Sequence, residues 1–175
     1  MANQFTTQIL KDTTEHVIIK LTGKWDSDSQ EDNPNRISAN SLYGALNTDG
    51  TLLANGGTPL SYYGLTVHRI WYDTYNGALS DIELYWNANP TITLMLLSGN
   101  SEYDGAGNWV TISNNAHNAV GVTGCNGDIG IRTRGYTANT SYTIVIELRK
   151  QNEYYQRGQF NDPSAFNYPP YSVRP

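Results

Sequence analysis

The chain has 175 residues, 38% hydrophobic and only 15% charged, and a net charge of −5. That length suits one domain with a sizeable core, and the shortage of helix formers beside abundant Asn, Thr, Ser and Gly favours an all-β fold. The negative charge speaks against a nucleic-acid partner, because phosphate binding needs a basic field.

In chain order, HVIIKLT alternates at period two, with Val17, Ile19 and Leu21 on one face. Asp26 to about Asn40 is polar, contains Pro34 and reads as irregular; Ile37 to Leu46 has room for one or two helical turns. YGLTVHRIWYDTY puts Leu65, Val67 and Trp71 on one side, interrupted by Arg69. In DIELYW, Ile82, Leu84 and Trp86 oppose Asp81, Glu83 and Tyr85, and in TITLMLL the shared face is Ile92, Leu94 and Leu96. Ser113 to Asn126 reads as a second irregular stretch, followed by Ile129 and Ile131 in DIGIRT. The cleanest alternation is YTIVIELR, where Tyr142, Ile144, Ile146 and Leu148 oppose Thr143, Val145, Glu147 and Arg149. One buried and one wetter face is the pattern of antiparallel sheets. Asp49-Gly50, Asn76-Gly77, Asp104-Gly105 and Asn126-Gly127 suit tight turns at positive φ. The expectation is a single antiparallel sandwich, jelly-roll-like, over residues 1–153, with roughly seven to nine strands.

Residues 154–175, YYQRGQFNDPSAFNYPPYSVRP, form an extended arm. Pro163, Pro169, Pro170 and Pro175 exclude a central strand or a helix interior. Tyr154, Tyr155, Phe160, Phe166, Tyr168 and Tyr171 gain by burial, and Arg157 and Arg174 can bond carbonyls or carboxylates around them. These eight residues are the candidate partner-binding set. The arm's destination is either a neighbouring subunit or an open edge of its own sandwich.

Signals for chemistry are sparse. His16, His68 and His117 lack metal-ligand spacing, and scattered histidines need no metal to explain them. WDSDSQEDN begins like a calcium loop but has Glu31 and Ile37 where such a loop needs Gly and Glu, so a solvated acidic loop is expected. No nucleophile elbow or phosphate loop is present. Cys125 and His117 sit in an Asn/Gly stretch, a poor setting for a preorganised nucleophile. With one cysteine there is no internal disulfide. The expectation is a non-enzyme with no cofactor and no metal. No apolar run reaches membrane-span length, and the N-terminal residues lack a secretory signal's charge and apolar core. Trp25, Trp71, Trp86 and Trp109 with the tyrosines suit either a sugar-stacking platform or packing in core and interface.

FTTQILKDTTEHVIIKLTGKWD, SLYGAL, YYGLTVHRIWYDTY and IELRKQNEYYQRGQFNDPSAFNYPPYSV together resemble virion structural proteins of tailed phages, particularly T4-like phages of marine cyanobacteria. The resemblance covers nearly the whole chain, and RGQFNDPSAFNYPPYS is its most specific part. It implies a structural component located in the virion and assembled in the host cytoplasm. Its partners would be other virion proteins, as a homo-oligomer or bound to a lattice. Capsid decoration or cement is the first expectation, neck or tail the second, and a carbohydrate-binding β-sandwich module the alternative from another class.

Overall fold

The computed structural model describes residues 2–74, 80–104 and 124–156. They form nine strands: β1 Gln4–Asp12, β2 His16–Lys24, β3 Asp32–Ile37, β4 Leu65–Thr74, β5 Asp81–Trp86, β6 Ile92–Leu97, β7 Gly99–Asp104, β8 Ile129–Arg134 and β9 Ser141–Lys150. Two single 3-10 turns, Ala39–Ser41 and Leu53–Asn55, lie in the long β3–β4 connection.

The strands make a five-stranded sheet, β1-β2-β9-β4-β7, and a four-stranded sheet, β3-β8-β5-β6, with antiparallel neighbours throughout. The pairs β2·β9, β3·β8, β4·β7 and β5·β6 are nested about the β5–β6 connection, as in one long hairpin folded over into two sheets. The lateral pairs β9·β4 and β8·β5 close each sheet, and β1 adds a fifth strand beside β2. This is the eight-stranded jelly roll with one extra strand, as the alternating patterns anticipate.

Both sheets contribute to one hydrophobic core. Val17, Ile19, Leu21, Ile144, Ile146 and Leu148 come from the first sheet, and Ile82, Leu84, Trp86, Ile129 and Ile131 from the second, all at most 1% exposed. Strands β2, β8 and β9 keep their predicted faces because no bulge interrupts the β2·β9 and β5·β8 registers.

Two faces change partway along a strand, each at a bulge. In β4, Val67 pairs with Leu148 and Arg69 with Glu147, leaving His68 as the extra residue. Downstream side chains reverse, so Ile70 enters the core and Trp71, expected inside, stays half-buried on the outer face. In β6, Leu84 pairs with Met95 and Tyr85 with Thr93, leaving Leu94 as the extra residue. Leu94 and Leu97 are buried, while Leu96, also expected inside, is 58% exposed.

The stretch from Asp26 to Asn40 is not irregular throughout, because it holds β3. Asn33 pairs with Ile131 and Ile37 with Ile129, so β3 spends two extra residues around Pro34. An edge position tolerates this, since one side of β3 has no ladder to complete. Gly127 has φ +91° as the Asn126-Gly127 turn requires, and a Cβ there would collide with the Tyr63 carbonyl.

Candidate functional site

The C-terminal residues of the described chain are tied to the body. After β9, Gln151 N donates to Gly64 O (2.9 Å) and Leu46 N to Tyr154 O (3.0 Å). The Tyr154 ring meets Tyr62 edge-on at 4.4 Å between centroids, and their hydroxyls are hydrogen-bonded. Tyr155 is 1% exposed, bridges to Ala45, and donates its hydroxyl to Ala39 O at 2.9 Å. Of the eight candidate partner-binding residues, Tyr154 and Tyr155 are thus packed on their own chain. Arg157, Phe160, Phe166, Tyr168, Tyr171 and Arg174 lie outside the described residues.

Gln156 N donates to Gly44 O at 2.6 Å, so the last described residue is tied to the body at Gly44. Gly44 has φ +80°, and a Cβ there would stand 3.2 Å from Gln156 O. Gly44 lies on the rim of a groove of about 450 Å³. The groove is lined by Asp12, residues 40–45 and residues 52–54. Its apolar surface comes from Leu42, Ala45, Leu52 and Leu53, with Tyr43, 60% exposed, at its margin.

A buried lysine holds the groove wall. Lys150 Nζ, its side chain fully enclosed, donates to Asp12, to Thr13 O (2.7 Å) and to Tyr43 O (2.7 Å), and lies over the Tyr155 ring at 5.2 Å. Asp12 Oδ2 accepts from Tyr43 N at 2.8 Å. Burial lowers the Lys150 pKa from its ordinary value, and the bond to Asp12 opposes that shift. Both Asp12 oxygens are occupied, so the groove presents an apolar surface with a neutralised charge pair behind it. That arrangement suits docking of an apolar side chain more than proton transfer. The sequence did carry a signal for this lysine. The inward series Tyr142, Ile144, Ile146, Leu148 reaches residue 150 at the next step.

The other candidate residues disperse. Trp25 and Trp86 are fully buried, the first against Tyr136 at 4.3 Å and Phe5 at 5.1 Å between centroids. Trp71 lies on the outer face of the first sheet, and Trp109 lies outside the described residues, so core packing rather than a stacking platform accounts for two of the four tryptophans. The acidic run separates. Asp28 accepts from Ala138 N at 3.1 Å, and Asp32 pairs with Arg132 at 3.2 Å. Glu31 turns inward to Arg36 (3.3 Å) and the Tyr142 hydroxyl (2.8 Å), and its pKa is raised by burial against the opposing pull of Arg36. Glu83, 7% exposed, accepts from Arg132, Arg134 and Thr93.

One juxtaposition has no counterpart in the sequence pattern. The β4 bulge places His68 beside His16, with ring centroids 6.2 Å apart and both Nδ1 atoms 3.4–3.5 Å from the Glu147 carboxylate. His117 lies outside the described residues. Among the described residues no group of three or more His, Cys, Asp or Glu is placed to hold a metal ion. No helix among them is long and apolar enough to cross a membrane.

Compared with models of known protein families, and with curated proteins, the chain matches none.

Proposed function

We propose that the chain is a non-enzymatic structural component of a tailed-phage particle, a capsid decoration or cement subunit that grips neighbouring subunits through the arm beyond Gln156. Neck and tail positions in the same particle are the next reading. Jelly rolls serve capsid and lectin domains alike, so the architecture by itself selects neither. The observation that carries the reading is the arm's root. Tyr155 is a core side chain, hydrogen-bonded to Ala39 O, and Gln156 is bonded to Gly44. A load on the arm is therefore passed to the sandwich rather than to a loose linker. Four prolines restrict the free arm and lower the entropy lost when it binds. The burial of Trp25 and Trp86 leaves the carbohydrate-binding alternative with fewer rings to offer.

The test is assembly. A chain ending at Gln156 retains every contact described above and should keep a cooperative unfolding transition. It should be missing from particles assembled in its presence, whereas electron microscopy should locate the full chain at regular sites on the particle. Incorporation of the shortened chain at the full-length level would overturn the proposal.

A further inference from the structure

We propose that Phe160 seats in the groove of its own chain, between residues 40–45 and 52–54, so that the arm divides into a proximal clamp and a distal reach. The assignment rests on the reading of the arm as a binding element and specifies what its first aromatic side chain binds.

Gln156 N is bonded to Gly44 O, and Gly44 itself lines the groove. Phe160 is four residues further on, so its Cα lies within about 14 Å of that rim whatever path the chain takes. A second copy's Phe160 could enter this groove only where the two Gly44 rims lie within about that distance of each other. Phe166, Tyr168 and Tyr171 are ten to fifteen residues out, with a reach of roughly 35–50 Å, long enough to extend well past the body to a neighbour.

The groove meets the chemistry of a phenyl ring. Its lining is mostly apolar, with Leu42, Ala45, Leu52 and Leu53 beside the polar Asn40 and Ser41, and its one carboxylate is engaged by Lys150 and Tyr43 N. At about 450 Å³ it exceeds by several-fold the roughly 150 Å³ apolar cavity that suffices for benzene. A ring tethered this closely has an effective concentration in the millimolar range, which favours it over the same segment from a second copy. Occupation would also cover the exposed side of Leu52 and Leu53 and hold the arm's direction relative to the sandwich.

Disulfide trapping on the isolated full-length protein tests this. The pair Ala54→Cys and Phe160→Cys joins the groove rim to the arm; the control pair Val145→Cys and Phe160→Cys joins the arm to the outer face of the first sheet. Under mild oxidation the groove pair should form a monomeric disulfide several-fold faster than the control, leaving the buried Cys125 as the one free thiol. A covalent dimer as the main product would assign the groove to a second copy's arm and overturn the proposal. Equal rates for the two pairs would overturn it as well. The experiment needs no particle, so its failure is distinguishable from failure of the shortened chain to be excluded from particles.

Discussion

Lys150 and Asp128 are ionisable side chains placed where a hydrophobic residue would be the simpler choice, and both bind the β3–β4 connection to the sandwich. Lys150 collects the carbonyls of Thr13 and Tyr43. Asp128, 6% exposed, accepts from Ala39 N at 2.7 Å and from Asn126 at 2.7 Å. Burial raises the Asp128 pKa above 3.8, while the bonds from Ala39 and Asn126 pull it down. The native state therefore holds this proton in a pH range where the unfolded chain has lost it. The stability contribution of Asp128 is greatest below 3.8 and declines as pH rises towards its higher folded value. Asp128→Asn removes that dependence. Urea unfolding between about pH 3 and pH 7 should show the native protein gaining on the variant as pH falls. Curves that stay parallel across the range would mean that Asp128 titrates alike in both states.

At the scale of elements, legibility followed burial. The unbulged, central β9 and β8 and the doubly paired β2 displayed their faces as period-two alternation, because each has one side on the core and one towards solvent. Of the four edge strands, β6 was recognised, while β1, β3 and β7 did not show the pattern. β1 exposes most of its side chains, β3 contains Pro34, and β7 reads GNSEYD, so none needs the alternation that burial imposes. β4 and β6 were recognised as strands, but their faces were misassigned beyond the bulges at His68 and Leu94, where the period slips by one residue. A pair of truncations tests the second bulge. Leu97→Ala should cost about 2–5 kcal/mol, because Leu97 is fully buried. Leu96→Ala, one residue earlier and 58% exposed, should cost well under 1 kcal/mol. Equal losses in chemical denaturation would place the bulge elsewhere. The groove was less legible than any strand. Its lining comes from Asp12 and two separate loop segments, and no local spacing announces that they meet.

For the whole molecule, the nested pairing explains why the chain's end matters to the fold. β2·β9 is the outermost of the nested pairs, so the segment after β9 lies beside the turn between β1 and β2, and Lys150 binds Asp12 there. Tyr154 and Tyr155 then pass under the β3–β4 connection and close that end of the core. Contacts with the body therefore continue through Gln156, past the change in composition at Tyr154. Two truncations should differ sharply. Ending the chain at Gln156 preserves the described contacts and removes the proposed seating of Phe160, about 1.5–3 kcal/mol. Ending it at Gln151 also removes the Tyr155 ring, its bond to Ala39 O and the pairing of Tyr154 with Tyr62, and should cost about 3–5 kcal/mol more. Equilibrium denaturation of the two shortened chains measures the difference directly. If both unfold at the same midpoint, Tyr155 does not close the core, and the segment beyond Gln156 has no fixed root.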